Sequence, residues 1–382
     1  MSIWSISFSY RLGLGFHALN NEGSEGSNLM QPRRIDVGKF TYDGISGEMV
    51  RRHILENFVN VCRAEKISLL PVSEALHPDR GQLGIRKVAN ELGSKKLTKQ
   101  NPAELYRAVR KAVESCAVLD VGGFLAPFGD SKSAEEGDGD TQPSSSTGKS
   151  ERKAAPVAVA PEDNIEKGLV GIGSKKERPY TVKRDSVFDV GWLISEKPQD
   201  LVITQHAAYR PSGDQSLFSQ TMRSNVYAGV IRADLHRIGT DDYWYLQPGA
   251  NGQGNVSRFA VDPGKQRQRQ RALIKAIVNF IASPTGAKVA GWAPHVFLTE
   301  GAILLTSGRT APFVSPIKVE VGDENAPIKH DNGYIKAMKD IENNTDTWCW
   351  SFTDAKTLLD KLGEITTRLN GGGDGQKQVK AG

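Results

Sequence analysis

The residues with the most evident binding chemistry surround a predicted helix start at Ser46 and Gly47, followed by Arg51, Arg52 and His53. The first turn of a helix has unpaired N–H groups and the positive end of the helix dipole, and both favour a bound phosphate. Glycine allows close backbone approach, and arginine forks hold phosphate oxygens in pairs. The set therefore fits an anion site. The alternative is a capped helix with solvated arginines, which the residue types alone slightly favour.

Further basic and amide side chains precede this helix in the chain. Arg11 lies in the first predicted strand, and Arg33 with Arg34 could clamp phosphates or simply end a strand at the surface. Asn20 and Asn21 lie in a loop that we expect to be irregular and exposed. Their amides could contact ribose or base edges there, with an ordinary turn as the alternative. Fixed charge and backbone donors without a catalytic set suggest a protein that holds a phosphate chain and does not break it.

A third candidate region is the segment 212–225, where apolar residues stand among polar ones. We expect a loop here, between two predicted strands, that would expose Leu217, Phe218 and Met222. Exposed side chains of this kind can wedge between nucleic-acid bases or stack on them. The commoner alternative is that the loop folds back and these residues cap the core.

Two other basic segments have less specific interpretations. The alternating run 266–271 opens a predicted helix, but Arg267, Arg269 and Arg271 spread around it, which favours a solvated helix end. The segment 171–176 contains two glycines and two lysines but lacks the spacing of a phosphate loop, so a nucleotide-triphosphate site is rejected. Its lysines could still contact nucleic acid without sequence preference.

A search for catalytic and metal-binding motifs gives no candidate set. The chain has neither HExxH nor GxSxG, and its seven histidines show no metal-ligand spacing, so we expect no cofactor and no metal. His17 and His53 lie close to the basic segments, and general-base cleavage of RNA by one of them is the enzymatic alternative. A binding role is favoured over it, and we expect a protein that is not an enzyme.

The composition is compatible with a nucleic-acid partner without requiring one. The 382 residues carry a net charge of +5, from 49 basic and 44 acidic side chains. Three cysteines far apart (Cys62, Cys116 and Cys349) indicate neither disulfides nor zinc and fit a reducing cytoplasm. The first residues do not form a secretion signal, and no apolar run is long enough to span a membrane, so no membrane partner is expected.

The elements that would position these residues form an α+β pattern. Period-2 alternation predicts a half-buried strand over 2–12, a second strand covers 33–42, and an apolar stripe predicts a helix over 46–65. A second helix starts at Asn101. The later elements are strands at 186–195, 201–210 and 226–238, a helix at 265–282, a strand at 296–307 and a last helix ending at Leu369. Without its insertions, this order is the ferredoxin-like unit of RNA-recognition modules, although their aromatic signatures are missing.

We expect one elaborated domain over 1–382. The segment 130–163 has no aromatic residue and much Ser, Gly, Pro and charge, which predicts a disordered insertion. Such an insertion in a surface loop costs little closure entropy, so it need not divide two domains. The glycine-rich tail, 371–382, is expected to fray.

Four blocks in this order resemble the CRISPR-associated Cascade backbone subunit, the Cas seven group with its DevR-like branch. The blocks are RLGLGFHALNNEG, ISGEMVRRHILENF, DVGGFLAP and LFSQTMRSNVYAGVIRADL, the last followed by a basic-led helix ending in SPTGAK. They span about 20–310, and their joint order is more specific than any one block. The resemblance implies a modified RNA-recognition palm with inserted fingers and thumb elements.

The resemblance also implies partners and residue roles. Such proteins bind guide RNA (crRNA) without cleaving it, line up in several copies as a filament with other Cascade subunits, and leave the guide bases free to pair with target DNA. The turn and helix start from Ser46 to His53 would grip guide phosphates. The residues expected to lie along the guide or in the thumb are Asn20, Asn21, Gln205, Phe218, Met222 and Arg223. Two alternatives remain: a repeat-RNA endoribonuclease using His17 or His53, and a multimeric scaffold without RNA.

Overall fold

A computed structural model shows how the chain folds. It describes residues 3–23, 29–93, 97, 102–128, 180–198, 201–209, 215–247, 256–286, 293–319, 326–343 and 345–370. The predicted insertion at 130–163, the segment 171–176 and the tail at 371–382 lie outside the described residues. Within the described residues, no helix has the length and apolar character needed to cross a membrane.

The N-terminal part of the described chain begins with four strands, continues with five helices and ends in a strand. It comprises β1 (Ile3–His17), β2 (Asn21–Gly23), β3 (Leu29–Val37), β4 (Phe40–Ile45), α1 (Gly47–Ala64), α2 (Pro71–Glu74), α3 (Arg80–Glu91), α4 (Pro102–Ser115), α5 (Ala117–Gly122) and β5 (Phe124–Phe128). The predicted helix over 46–65 is confirmed, and so is its apolar stripe, since Val50, Ile54, Leu55, Phe58 and Cys62 are all buried. Helices α2, α3 and α5 had no counterpart in the prediction.

The remainder of the described chain adds strands to one large sheet and to two two-stranded sheets. Its elements are β6 (Tyr180–Arg184), β7 (Phe188–Val190), β8 (Leu193–Pro198), β9 (Leu201–Tyr209), β10 (Gln215–Ala233), α6 (Pro263–Ala282), β11 (His295–Ser307), β12 (Ile317–Lys318), β13 (Lys329–His330), α7 (Tyr334–Asp340), β14 (Thr347–Phe352) and α8 (Ala355–Leu369). The two-stranded sheets pair β5 with β6 and β12 with β13. The predicted helices at 265–282 and at the C-terminal end are confirmed, as is the strand at 296–307.

The main sheet has the strand order β14-β11-β1-β10-β8-β4-β3-β2. Its inner strands β11, β1, β10 and β8 are antiparallel neighbours, with α1 between β1 and β8 in the chain and α6 between β10 and β11. This is the 4-1-3-2 order of the ferredoxin-like unit, so the α+β class is confirmed. Helices α1 and α6 pack against each other and share one apolar cluster with β1.

The central strand β1 is covered on both faces, which corrects the prediction of a half-buried strand. One face carries the apolar set, fully buried against the helices: Ile6, Phe8, Tyr10, Leu12 and Leu14. The other face carries serines, which are buried as well. The Ser7 hydroxyl donates to the Pro312 carbonyl at 2.5 Å, and the Ser9 hydroxyl lies 3.8 Å from the Met338 sulfur. Small side chains leave room for the C-terminal segment to pack there.

Two predicted segments differ from the structure. The expected strand over 33–42 is the hairpin of β3 and β4, which turns at Gly38 with a φ of 60°. That left-handed conformation is easy for glycine and ends the first strand. The expected loop over 212–225 is wrong, because from residue 215 onward it belongs to β10, which pairs with β9 in a long antiparallel hairpin. Mixed polar and apolar residues fit a two-stranded ribbon as well as a loop.

Candidate nucleic-acid-binding site

The start of α1 is tied to the turn after β1. Ser46 is the N-cap: its hydroxyl accepts a hydrogen bond from the Met49 backbone N–H at 3.2 Å and donates to Asn20 Oδ1 at 3.2 Å. Asn20 itself has a φ of 61°, a backbone conformation that asparagine tolerates better than most residues. The cap and the turn therefore hold each other in place.

Gly47 is buried at the first position of α1, against the chain's own backbone. A Cβ atom at this position would lie 2.4 Å from the Val190 carbonyl oxygen. The close approach predicted for Gly47 is therefore made by the end of β7. Whether Ser46 and Gly47 also contact a phosphate stays a prediction, and both residues are buried as the molecule stands.

The prediction that Asn20 and Asn21 lie in an exposed loop is wrong, since they are 7% and 2% exposed. The Asn21 side chain donates to the Thr221 carbonyl at 2.8 Å, and its Oδ1 accepts from Arg223. Arg223 also donates to the Leu19 carbonyl. The turn connects β1 to the short strand β2, and the Asn21 side chain fastens it to β10.

Arg223 is held by a buried carboxylate. Its Nε lies 2.5 Å from Asp43 Oδ2. Tyr227, four residues further along β10, donates its hydroxyl to the same oxygen. Burial raises the pKa of Asp43, and the nearby positive charge of Arg223 opposes that rise. Burial and the Asp43 charge raise the pKa of Tyr227 well above 10, so this hydroxyl stays protonated.

His17 completes this buried network. Its Nε2 lies 3.0 Å from the Tyr227 hydroxyl, and the Leu19 backbone N–H donates to its Nδ1 at 3.3 Å. Burial and the Arg223 charge lower the His17 pKa well below 6.5, so the ring is neutral at physiological pH. A neutral imidazole would suit a general base, but this one is 2% exposed and its ring nitrogens face protein atoms.

The arginines of the first strands are placed differently from one another. Arg11 pairs with Glu300 across β1 and β11 at 2.6 Å, so its charge is compensated. Arg33 is half-buried, with its guanidinium carbon 5.7 Å from the centre of the Trp192 ring. Arg34 is exposed and donates to Gln31 Oε1 at 3.2 Å, a contact on its own strand that solvent can replace.

The basic residues of α1 reach the surface beyond the buried network. Arg51 donates to the Gly122 carbonyl at 2.6 Å, and burial lowers its pKa. The Arg52 side chain is 52% exposed and pairs with Glu56 at 3.0 Å. His53 Nδ1 lies 2.7 Å from the other oxygen of Glu56. Arg51 and Arg52 are therefore neighbours on one helix, and their partners differ from those of Asn20 and Arg223.

The residues predicted for the thumb lie on the β9–β10 ribbon. Gln205 is opposite Ser219 and Phe218 is opposite His206 in the register, while their side chains lie outside the described part of the chain. Met222 is described and is buried, and it lies in a strand of the hairpin, not in a loop folded back over the core.

A second buried ion network escaped sequence reasoning. Asp120 lies 2.5 Å from Arg184 and 2.7 Å from Arg269, and all three side chains are at most 2% exposed. The expectation that Arg269 is solvated is therefore wrong. Charge alternation along 266–271 could not show this, because the buried carboxylate belongs to a block 149 residues away. This network joins α5, β6 and α6 and has a structural role.

No group of three or more His, Cys, Asp or Glu side chains that could hold a metal occurs in the described ranges. The structure therefore offers no positive evidence for a metal centre. What the geometry does provide is a buried polar network that reaches the start of α1 through Ser46, and two consecutive arginines further along the same helix.

The described fold defines a protein of the α+β class with a ferredoxin-like sheet. The chain belongs to the family described as CRISPR-associated negative auto-regulator DevR/Csa2, whose model matches residues 8–325. A comparison with curated proteins gives no match.

Two solved structures are similar in outline. A chain titled "CRISPR RNA-guided surveillance complex, pre-nicking" is 12% identical, covers 96% of this chain and 100% of its own, and has a TM-score of 0.43. A chain titled "CRISPR RNA-guided surveillance complex" is 9% identical, covers 95% and 99%, and has a TM-score of 0.40. Similarities of this size carry no argument about function.

Proposed function

We propose that the protein is a non-catalytic guide-RNA-binding backbone subunit of a type I CRISPR Cascade effector. Membership in the CRISPR-associated DevR/Csa2 family is the observation that carries this proposal. Copies of the chain would line up along one crRNA, together with other Cascade subunits, and present its bases for pairing with target DNA.

The arginines of α1 support contact with the RNA backbone. A guide holder must accept any spacer sequence, and phosphate contacts position a strand without reading its bases. Arg51 and Arg52 present guanidinium groups near the surface, and each is braced by a main-chain carbonyl at 2.6 Å and 3.3 Å respectively. Braced donors lose less side-chain freedom when they bind a phosphate.

The RNA contacts of the other predicted residues are part of the same proposal. Arg34 is exposed at the surface of β3 and can reach a strand directly. The buried Asn20, Asn21, Ser46, Gly47 and Arg223 would act by holding the turn and the helix start in position. Phe218 on the β9–β10 ribbon remains the candidate for insertion between bases.

The placement of the histidines supports a binding role over cleavage. His17 is enclosed by Tyr227, Leu19 and the Arg223 charge, which leaves a substrate no path to its ring. His53 is the better candidate for the enzymatic alternative, since its side chain is 14% exposed, although its Nδ1 already lies 2.7 Å from Glu56. A general base must reach the proton that it abstracts.

Copurification with RNA tests the proposal. Coexpression with a guide and partner subunits should give large assemblies that contain RNA of uniform length. RNA-free monomers persisting under those conditions would count against it, and an assembly without nucleic-acid absorbance would favour a plain scaffold.

Substitution of the α1 arginines tests the mode of binding. Arg51→Ala with Arg52→Ala should weaken binding about equally for guides of different sequence and should reduce the salt dependence of the affinity. The matched control is Lys336→Ala with Lys339→Ala on α7, which removes the same charge from exposed positions away from this site. A loss that depends on guide sequence would argue against backbone contacts.

The enzymatic alternative has its own test. Purified protein is incubated with labelled repeat RNA and the products are resolved by length. Site-specific cleavage that His53→Ala abolishes would favour an endoribonuclease, whereas intact RNA with retained binding supports the backbone role.

A further inference from the structure

We propose that Arg80, at the start of α3, completes a three-arginine phosphate-binding site with Arg51 and Arg52 of α1. Sequence reasoning gave Arg80 no role, and it lies 28 residues beyond Arg52 in the chain. Where the bound phosphate belongs to RNA, the inference rests on the proposed function. The chemistry itself requires only a phosphate group.

Main-chain carbonyls hold the three guanidinium groups side by side. Arg51 donates to the Gly122 carbonyl at 2.6 Å, and Arg80 donates to the next carbonyl, Gly123, at 3.1 Å. Adjacent carbonyls place two like-charged side chains within a few ångströms of each other.

A second pair of adjacent carbonyls links Arg80 to Arg52. Arg52 donates to the Leu76 carbonyl at 3.3 Å, and Arg80 donates to the His77 carbonyl at 3.5 Å. Arg80 therefore lies between the other two arginines and is braced at both ends of its guanidinium.

The charges at this site are poorly balanced by carboxylates. Within the described part of the chain, neither Arg51 nor Arg80 has a carboxylate within ion-pair distance, whereas Arg52 shares Glu56 with His53. The acidic charges that act on Arg51 are Glu48 of its own helix and Asp189, and Asp189 already pairs with Arg232 at 2.9 Å.

The arginines also act on one another. Burial lowers the pKa of Arg80, and the positive charges of Arg51 and Arg52 lower it further. The Nε of Arg51 and that of Arg80 are buried without a hydrogen-bond partner among the described residues. Like charges held together are unfavourable in the free protein, and a bound anion relieves the repulsion.

The helix that carries Arg80 packs closely against neighbouring residues through two of its glycines, which fixes its position. A Cβ atom at Gly81 would lie 2.6 Å from Phe124, and one at Gly84 would lie 2.9 Å from Leu119. Phe124 follows directly after the two glycine carbonyls. The segment DVGGFLAP, at 120–127, therefore orients both Arg51 and Arg80, so the site is formed before any ligand binds.

The test compares Arg80→Gln with Arg86→Gln, an exposed arginine on the same helix that lies outside the cluster. Binding of a labelled single-stranded RNA is followed by fluorescence anisotropy over a series of KCl concentrations. Arg80→Gln should weaken binding roughly three- to tenfold and reduce the slope of log K against log salt by about 0.7, the value for one lost phosphate contact on a single strand. Arg86→Gln should match the unmodified protein.

A second arm replaces RNA with inorganic phosphate. Phosphate should raise the melting temperature more than chloride at equal ionic strength, and Arg80→Gln should abolish the difference. If only this arm responds, the site holds a free phosphate and not an RNA backbone. If the unmodified protein binds no RNA, the proposed function fails, and the phosphate arm alone decides the site.

Arg80→Lys covers the case in which Arg80→Gln does not fold. Lysine keeps the charge but loses the fork, so binding should weaken while the salt slope is unchanged. If Arg80→Gln folds and alters neither RNA binding nor phosphate stabilisation, the inference is overturned. If only Arg80→Lys folds, unchanged affinity for both ligands overturns it.

Discussion

The Arg223 guanidinium lies 2.5 Å from the Asp43 carboxylate, and each side chain is only 2% exposed. The pair connects β10 to β4, and Arg223 extends the connection to the turn after β1 through Asn21 and Leu19. A residue predicted from the sequence to touch RNA is thus a central support for the turn in which two other predicted residues lie.

Loss of one member of this buried pair should destabilise the protein strongly. Arg223→Gln leaves the Asp43 carboxylate buried without its cation, and we expect a cost of about 3–5 kcal/mol in the free energy of unfolding. Urea denaturation of the single variants and of Arg223→Gln with Asp43→Asn measures the coupling, and the double variant should cost less than the sum.

The control for this prediction is another arginine–aspartate pair, whose arginine lies on the same strand, β10. Arg232 and Asp189 are 36% and 69% exposed at the side chain, so Arg232→Gln should cost no more than about 1 kcal/mol. Additive costs at Asp43 and Arg223, or equal costs at both arginines, would contradict the prediction.

The buried His17 should make stability depend on pH. In the unfolded chain the ring takes up a proton near pH 6.5, whereas burial and Arg223 hold its folded pKa well below that value. Stability conferred by the neutral ring is therefore lost as the pH falls from about 6.5 toward the folded pKa, by up to about 1.4 kcal/mol per pH unit.

His17→Gln isolates this contribution, because glutamine keeps a polar group near Tyr227 and does not titrate. Urea denaturation at pH 7.5 and at pH 5.5 should show a larger loss in the unmodified protein than in the variant. His236 and His330, whose pKa values are also lowered by burial, are present in both proteins and cancel in the difference. Identical losses would mean that His17 is protonated in the folded state.

Local patterns predicted much of the fold, because they depend on neighbours in the chain. The apolar stripe of α1 and the alternation of β1 each follow from one segment, and both elements are where the sequence placed them. The first part of β10, residues 215–225, was mistaken for a loop, since its sequence mixes polar and apolar residues without a clear alternation. Sequence alone also missed α3. This helix packs against its neighbours partly through glycines, which add nothing to a pattern of apolar residues.

The site was less predictable because its contacts join distant segments. Asp43 and Arg223 are 180 positions apart in the chain, and nothing in either segment shows that each compensates the other's charge. Asn20 was expected to be exposed because of the composition of its loop. The sequence of that loop does not show that Asn20 accepts a hydrogen bond from Ser46, at the start of α1. The arginines of α1 were correctly grouped, because two consecutive positions of one helix necessarily remain close.

Adding a methyl group at Gly47 should destabilise the protein by about 1–3 kcal/mol. The new Cβ would lie 2.4 Å from the Val190 carbonyl oxygen, so α1 or the end of β7 must shift. The control is Gly363→Ala in α8, where no atom lies within 4 Å and the helix gains about 0.5–1 kcal/mol from alanine. Thermal melts of the two variants should move in opposite directions, and a stabilising Gly47→Ala would contradict the packing described.

The hydrogen bond between Ser46 and Asn20 predicts a coupling between helix capping and the turn. Ser46→Ala removes the acceptor for the Met49 N–H and the donor to Asn20, so it should cost more than the roughly 1 kcal/mol of an ordinary cap. Asn20→Gly keeps the left-handed backbone and removes only the side chain. If the two residues act as one unit, Ser46→Ala with Asn20→Gly should cost less than the sum of the single changes, measured by urea denaturation.

Ser68→Ala at an exposed position is the control and should leave stability within about 0.5 kcal/mol. Strict additivity would show that the cap works without the turn, and the turn would then need another support.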